Sequence, residues 1–478
     1  MNRSYWALLI LLLTAVLLRL PMILGDHFVL DGDEAIVALM SLEALEEGVW
    51  RPLFWGQNYG FVLPEMLTTV PFIAAFGLNA FTTKLPMLLW FLLGAVAIFG
   101  TLERFTSSTP RLLLTLLVLL APTWLLWSVR LRGGYVPAFA VAHLAIYLSV
   151  VSDEMRPTRG SLIGVLLGLT FVLQAIWFPG AVCFALVAWW RTGRDVRSIL
   201  AATVSMVIPY LALLPFQVDA PFHQPPFFQF DADVIAFNTS VYVSYLERGM
   251  QGLHLHGRAF RELVSANIFS IGFLLLTLVV LGVGLRRLLS GKKLGYLVAA
   301  IAAILGLLLW SFFLGSAAPR YALPMFGYVI LALGMLWPKQ GGSWLTLVLL
   351  GFIGLGVHTL INGHEVKYED NTRSATHELI RMLEEEEVEL IFTENYLLQW
   401  QLMYYADGKI LARSLTRFDR RPDRMEKAEE IYANRSNRTA LVDFRKDARF
   451  DPDWLNREFC VRIAPTEAFL QERGFREF

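Results

Sequence analysis

Charge is scarce in this sequence, and the charge that is present cancels. Of the 478 residues only 17% are Asp, Glu, Lys or Arg, and the formal net charge is zero, whereas 56% are hydrophobic. A chain without excess positive charge is a poor candidate for binding nucleic acid. A chain this long and this apolar is typical of a polytopic membrane protein rather than a soluble enzyme.

Cysteine is almost absent. Cys183 lies in an apolar segment and Cys460 near the C-terminus, so we do not expect them to meet. No disulfide framework is predicted, and the redox compartment stays undetermined. Glycine-rich phosphate loops are also lacking, because none follows a predicted strand of the C-terminal region, and nucleotide binding is therefore not predicted.

Long apolar runs fill the first three quarters of the chain. A hydrocarbon core of ~30 Å takes about 20 apolar residues per helix. The first run is interpreted as a retained span rather than a signal peptide, because Arg19-Leu20-Pro21 is a poor cleavage site. This criterion predicts eleven spans, near 4–24, 84–103, 111–129, 135–151, 161–178, 179–190, 198–216, 268–286, 294–314, 321–337 and 343–361.

Segment 61–77 is apolar enough to span, but it contains Pro64, Glu65 and Pro71. If it does not span, the basic connecting loops fall on one side of the membrane, which the positive-inside rule makes cytoplasmic. We therefore predict that it lies at, or dips into, the outer surface of a plasma or inner membrane. The N-terminus is then cytoplasmic, and the external parts are loop 25–83, loop 217–267 and the C-terminal region.

The C-terminal region differs from the rest in composition. About half of all charged residues lie between Val366 and Phe478. We predict a transmembrane domain over 1–361 and a soluble external domain over 362–478. Short apolar runs alternate with helical patterns there, which favours a small parallel α/β sheet with a structural or substrate-guiding role. Its predicted strands include Val388–Phe392, Lys409–Ala412 and Thr439–Phe444.

An acidic cluster follows the first span directly and holds Asp31, Asp33 and Glu34. Carboxylates next to hydrocarbon are costly unless they are solvated, paired or functional. In one interpretation Asp31 or Asp33 caps a helix from Glu34 to Glu46. In the other, one carboxylate is a general base that deprotonates an acceptor hydroxyl. The two interpretations are compatible.

Two further groups of side chains are candidates for binding a substrate. The loop Trp55-Gly56-Gln57-Asn58-Tyr59-Gly60 combines aromatic faces and amides of the kind that hold sugars, although an interfacial aromatic belt explains its aromatic residues equally well. Predicted external arginines could bind phosphate; alternatively they anchor at lipid headgroups or pair with the loop acids. The arginines, with the tyrosines near them, are Arg130, Arg132, Tyr135, Arg320 and Tyr321.

The run GDEAIVALM…EEG…PLFWGQNYG…LPE resembles the glycosyltransferase C superfamily, which includes protein O-mannosyltransferases and aminoarabinose transferases. The later LRGGY and RYALP segments are similar to the same group. The resemblance implies a helical membrane enzyme in which Asp33 matches the catalytic aspartate, with Glu34 beside it as a second catalytic candidate. We predict that the substrate is bound by Asp31, Trp55, Gln57, Tyr59 and Glu65, with the arginines and tyrosines named above.

The chemistry that the resemblance implies needs no nucleotide. A polyprenyl-phosphate sugar enters from the outer leaflet, and Asp33 takes a proton from an envelope acceptor, which is a lipid, a glycan or a protein. A single inverting displacement releases lipid phosphate, and arginines, chiefly Arg320 with Arg132, stabilise its charge.

The sequence departs from the family pattern in two ways. Arg132-Gly133-Gly134 stands where many relatives carry another acid, so a ligand for the divalent metal of some members is missing. No cofactor is predicted with certainty, and the resemblance leaves a divalent metal possible. Leu63-Pro64-Glu65 replaces a KPP or HPP motif, so specificity does not transfer. Three other classes are less well supported: an envelope polysaccharide ligase or polymerase, a transporter, which should show internal repeats, and a non-enzymatic envelope sensor.

The predicted topology can be tested by labelling. Single cysteines at Asn58 and Asn437, in a cysteine-free background, should react equally with an impermeant reagent in whole cells, because both sites are predicted to be external. A cysteine at Lys292 should react only after the cells are opened. If the cysteines at Asn58 and Lys292 react together, the predicted topology is wrong.

Overall fold

A computed structural model describes residues 3–55, 60–192, 195–216, 294–313, 323–337, 343–363, 371–415 and 422–475, together with a few single residues between 232 and 276. Most of loop 217–267 and of predicted span 268–286 lies outside these ranges. Four of the candidate site residues, Gln57, Tyr59, Arg320 and Tyr321, also lie outside them.

The described part of the apolar region is a helical bundle. Its helices are α1 (Arg3–Leu24), α2 (Gly32–Glu46), α3 (Leu63–Phe76), α4 (Ala80–Leu102), α5 (Ser108–Leu120), α6 (Pro122–Trp127), α7 (Tyr135–Val150), α8 (Pro157–Leu173), α9 (Phe178–Arg191), α10 (Val196–Leu213), α11 (Leu294–Phe313), α12 (Leu323–Leu336) and α13 (Ser343–Gly363).

Four of these helical segments are long and apolar enough to cross a membrane, namely Tyr5–Leu24, Ala80–Leu102, Val196–Phe216 and Ser343–Gly363. Shorter apolar helices of 10–17 residues include Ser108–Leu120, Tyr135–Val150 and Pro157–Leu173. The apolar helices place the protein in a membrane, and the number of spans stays a prediction.

Two predicted spans are broken in the structure. Segment 111–129 is divided between α5 and α6, because Ala121 before Pro122 has φ −60° and ψ 130°, as a residue preceding proline prefers. Segment 161–178 ends early: α8 stops at Leu173, Gln174 is extended, and a 3₁₀ turn leads into α9. Both breaks lie next to the candidate site described below.

The acidic cluster begins α2, as predicted, and Asp31 is the capping residue. The Asp31 side chain accepts from Glu34 N, and the Glu34 carboxylate accepts from Asp31 N, which completes a capping box. Segment 61–77 also forms the expected helix, α3, with Pro64 in its first turn, where the missing N–H costs nothing.

The C-terminal region folds around a mixed five-stranded sheet in the order β2-β1-β3-β5-β4. The strands are β1 (Leu390–Thr393), β2 (Leu411–Ser414), β3 (Thr439–Phe444), β4 (Trp454–Leu455) and β5 (Phe459–Ile463), and the helices are α14 (Arg373–Glu385), α15 (Leu398–Tyr405), α16 (Pro422–Asn434) and α17 (Glu467–Glu472).

The prediction of a parallel sheet holds for only part of it. β1 pairs in parallel with β2 and β3, but β5 runs antiparallel to both β3 and β4. The turn between β4 and β5 is too short for the crossover that a parallel pair requires. The domain is nevertheless a small α/β unit.

The C-terminal domain and the first loop share one hydrophobic core. Buried residues of α2, such as Ile36 and Met40, belong to the same cluster as Leu379, Leu402 and others of the C-terminal domain. Polar contacts add to this core: Asp26 accepts from Ser374 N at 2.6 Å, and Arg373 donates to the carbonyl oxygen of Phe28 at 3.0 Å. The acidic loop is therefore held between the bundle and the C-terminal domain.

Gly32, between Asp31 and Asp33, tests this docking. A Cβ there would lie 2.7 Å from the Leu397 carbonyl oxygen and 3.0 Å from the Leu397 Cα. Gly32→Ala should destabilise the protein by about 1–3 kcal/mol, the usual cost of overpacking. The control is Gly351→Ala, where a Cβ meets nothing within 4 Å. Equal thermal unfolding curves for the two variants in detergent would contradict this packing.

Candidate active site

The candidate active site lies at the N-terminus of α2, where three carboxylates meet three cations. The side chains of Asp31, Asp33 and Glu34 are 10%, 28% and 0% exposed. The cations are Lys84 of α4 and Arg130 and Arg132, which follow α6. The three acids, adjacent in sequence, have different surroundings and therefore different roles.

Glu34 is a buried structural acid. One carboxylate oxygen, Oε1, lies 3.0 Å from Lys84 Nζ and 3.3 Å from Leu131 N, and the other accepts from Asp31 N at 3.1 Å. Both Glu34 and Lys84 are fully buried, and the Lys84 ammonium also lies 4.6 Å from the Phe28 ring centroid. This environment argues against a catalytic role for Glu34 and gives it a positioning role.

Arg132 bridges the other two carboxylates. Its Nη1 lies 3.0 Å from Asp31 Oδ2, while its Nε and Nη2 lie 3.2 and 2.9 Å from Asp33 Oδ2. Arg130 Nη1 lies 3.8 Å from Asp31 Oδ2, which is close enough for an ion pair but too far for a hydrogen bond. Of the alternatives for these arginines, pairing with the loop acids is the one that this geometry shows.

Asp31 is occupied as a helix cap and ion-pair partner. Burial alone would raise the pKa of its carboxyl, but the positive charges of Arg132 and Arg130 outweigh burial and hold the pKa below its ordinary value. Asp31 therefore stays ionised and serves to anchor Arg132.

Asp33 is the one acid of the three with an oxygen to spare. Arg132 binds only Oδ2, and Oδ1 has no hydrogen-bond partner within the part of the chain that the structure describes. Its side chain is also the most exposed of the three. A carboxylate that is oriented through one oxygen and open at the other is suited to accept a proton.

Tyr135 and the arginines share an aromatic neighbour. The Trp127 ring centroid lies 5.2 Å from that of Tyr135 and 5.1 and 5.9 Å from the guanidinium carbons of Arg130 and Arg132. Such cation–π contacts orient a guanidinium without neutralising it. Tyr135 is buried against Trp127, and its contact with substrate stays a prediction.

Trp55 does not offer a face to a sugar. It is 2% exposed, its ring centroid lies 5.7 Å from that of Trp400, and the Arg424 guanidinium lies over it at 4.6 Å. Both of these neighbours come from the C-terminal domain. The predicted stacking surface is, at Trp55, an interdomain contact.

Glu65 is also buried, so the structure does not show it facing solvent, and its contact with substrate stays a prediction. Neither carboxyl oxygen reaches hydrogen-bonding geometry with a described group, although the backbone N–H groups of Gly134, Gly133 and Arg132 are close enough to affect it. Burial raises the pKa of the Glu65 carboxyl to about 8, and those N–H groups only moderate the rise. Glu65, with its raised pKa, therefore lies behind the turn that carries Arg132.

Sequence reasoning overlooked three residues here. Lys84 is a lone charge at the start of a predicted span, and an ionisable residue in such a position should have been treated as a candidate. Trp127 and Gln174 carried no comparable signal, because neither side chain is ionisable and Gly133, the partner of Gln174, lies 41 positions away in sequence.

The carboxylates do not fit a divalent metal in this arrangement. Asp31 and Asp33 are bound by Arg132 and Glu34 by Lys84, so each acid already has a cationic partner. Within the described ranges no group of three or more His, Cys, Asp or Glu side chains could hold a metal ion.

Comparison with solved structures shows that the chain has the fold of the glycosyltransferase C membrane enzymes. It is similar to ArnT, an aminoarabinose transferase, from Cupriavidus metallidurans bound to undecaprenyl phosphate, with a TM-score of 0.63 and 13% identity over 96% of this chain and 98% of that one.

Archaeal structures share the same fold. The Archaeoglobus fulgidus oligosaccharyltransferase in complex with Zn and sulfate matches with a TM-score of 0.55 and 12% identity over 92% of this chain and 68% of that one. The oligosaccharyltransferase AglB from the same organism, with an inhibitory peptide and a dolichol-phosphate, matches with a TM-score of 0.53 and 9% identity over 93% and 69%. No family model and no curated protein matches the sequence.

The buried acid Glu65 generates a pH-dependent prediction. Because its pKa is raised in the fold to about 8, from about 4.3 in an unfolded chain, the folded state holds the proton more tightly. Stability should therefore fall as pH rises between these values and level off above the higher one. Glu65→Gln should remove this slope. The measurement is thermal unfolding in detergent from pH 5 to 9.

The exposed Glu385, also on a helix, provides the control. Glu385→Gln should leave the slope as in the wild type. If Glu65→Gln and Glu385→Gln retain the same pH dependence, Glu65 is ionised at neutral pH and its position behind the turn must be explained differently.

Proposed function

We propose that this protein is a membrane glycosyltransferase that moves a sugar from a polyprenyl-phosphate donor to an acceptor of the cell envelope. The observation that carries the proposal is Asp33: an oriented, partly exposed carboxylate at the outer-loop helix of a chain with the glycosyltransferase C fold. ArnT is described with undecaprenyl phosphate and AglB with a dolichol-phosphate, which supports a lipid phosphate as the donor's carrier.

Asp33 acts as the general base. Its Oδ1 accepts the proton of the acceptor hydroxyl while the hydroxyl oxygen attacks the anomeric carbon of the sugar. The bond from that carbon to the phosphate oxygen breaks in the same displacement, so lipid phosphate leaves and the anomeric centre inverts. Arg132 orients the Asp33 carboxylate by donating to Oδ2.

Arg132 is committed to this orienting role. Since its Nε, Nη1 and Nη2 already bind Asp31 and Asp33, we assign the leaving phosphate to Arg320, as the sequence predicted, and not to Arg132. The orientation with the acidic loop and C-terminal domain outside the membrane belongs to the same proposal, because the lipid-linked sugar and the envelope acceptor then meet on the outer side.

Asp33→Asn tests the base directly. Asn keeps the size of Asp and still accepts from Arg132, so membrane insertion and folding should survive. Transfer from a polyprenyl-phosphate sugar should fall by about 10²–10⁴, the usual contribution of a general base. Mass spectrometry of glycolipids and glycans from cells with the wild-type protein, the variant or no protein identifies the acceptor, and purified protein then gives the rate.

Asp31→Asn is the matched control. Asparagine caps a helix about as well as aspartate, so this variant loses the ion pair with Arg132 but keeps the base. It should lower the stability of the protein, and it should lower turnover much less than Asp33→Asn does. If Asp31→Asn abolishes transfer while Asp33→Asn does not, the base is misassigned; if the wild type changes no envelope glycan and transfers no sugar, the proposed function is wrong.

A further inference from the structure

The turn that carries Arg132 has a backbone that is intrinsically flexible. Gly133 and Gly134 both have positive φ, +64° and +86°. Two glycines in this region are costly to order, since each gives up a wide range of conformations. Contacts from outside the turn must therefore fix it.

The end of α8 approaches the turn closely. A Cβ on Gly134 would lie 2.9 Å from the carbonyl oxygen of Leu173 and 3.1 Å from that of Phe61. The backbone of α8 thus packs directly against the turn, and this packing explains why the second residue is glycine. Packing of this kind limits where the turn can lie but gives it no directional bond.

Gln174 supplies the directional bond. Its backbone N–H still completes the last turn of α8 by donating to Thr170 O at 3.0 Å, but its φ of −155° and ψ of 104° take the chain out of the helix. The half-buried side chain donates from Nε2 to the carbonyl oxygen of Gly133 at 2.7 Å. The break after α8 therefore places the side-chain amide of Gln174 against Gly133, the residue next to Arg132.

We propose that Gln174 is a positioning residue for the active site: by holding the Gly133 carbonyl, it places the Arg132 guanidinium so that it bridges Asp31 and Asp33. The inference rests on the proposed function for its catalytic consequence. Glu34 holds the other side of the same turn through Leu131 N, so Gln174 and Glu34 clamp it from opposite sides of Arg132.

The first test is kinetic. Gln174→Met keeps the length of the side chain but loses the donor, and kcat should fall about ten- to a hundred-fold, because a misplacement of about 1 Å can cost about 10²-fold. KM for the lipid-linked donor should change little. The control is Gln471→Met, which removes an exposed glutamine whose side chain donates to Glu467 in its own helix. A kcat for Gln174→Met equal to that of Gln471→Met overturns the proposal.

A double-mutant cycle separates positioning from a general structural role. If Gln174 acts through Arg132, then Gln174→Met should reduce kcat by less than about two-fold in an Arg132→Lys background, because coupled sites are not additive. If Gln174→Met reduces kcat by the same factor in the wild-type and Arg132→Lys backgrounds, Gln174 does not act through Arg132. Should Gln174→Met fold poorly, Gln174→Asn keeps a polar amide but is one methylene too short, and the same outcomes apply.

A second readout does not need transferase activity. Asp31 faces Arg132, Arg130 and Lys84, whose charges keep its pKa low. It therefore stabilises the fold above its unfolded pKa of about 3.9, and this stability is lost as pH falls below that value. If the turn is loosened, the folded-state pKa of Asp31 moves towards its unfolded value, so the stability lost on acidification should be smaller in Gln174→Met than in wild type or Gln471→Met. An equal loss of stability in all three proteins overturns the inference, and an inactive wild type with the expected smaller loss in Gln174→Met would refute only the proposed function.

Discussion

The ion pair between Glu34 and Lys84 is the interaction on which the site depends. Removing two charges from water is expensive, and such a pair is tolerated only when the remaining hydrogen-bonding positions are also used. Glu34 meets this condition by accepting from Leu131 N and Asp31 N as well as from Lys84. One carboxylate thus joins α2, α4 and the turn of Arg132, and loss of either charge would cost about 3–5 kcal/mol.

The C-terminal domain is the second support of the acidic loop. Trp55 is enclosed by Trp400 and Arg424, and Leu397 lies against Gly32 between the two aspartates. These contacts shield one side of the loop from water and leave Asp33 as its partly exposed acid. A domain predicted to be structural or substrate-guiding therefore forms part of the surroundings of the candidate base.

Local chemistry made much of this structure predictable. Asp31 caps α2 because its neighbours in sequence supply the capping box, and Thr439–Phe444 is a strand with the predicted bounds. The antiparallel pair β4–β5 could also have been predicted, since the connection is too short for a crossover.

Contacts between residues that are distant in sequence could not be predicted from local chemistry. Glu34 meets Lys84 across 50 positions, and nothing near Trp55 in sequence indicates that Trp400 covers it. The burial of Trp55 and Glu65 was not predicted, for the same physical reason. Aromatic and acidic side chains in an external loop are assumed to face solvent, whereas here a domain more than 300 residues later buries one, and a glycine turn buries the other.

The charges around α2 constrain how a lipid phosphate can bind. Asp31, Asp33 and Glu34 are balanced by Arg130, Arg132 and Lys84, while burial raises the pKa of the nearby Glu65 carboxyl to about 8. An arriving phosphate adds negative charge to a cluster whose described cations are already paired, and an unpaired charge at a partly buried site is costly. Its counter-charge must therefore come from outside this cluster. This requirement is the reason why the proposed function assigns the phosphate to Arg320, in the RYALP segment, and leaves Arg132 to the candidate base.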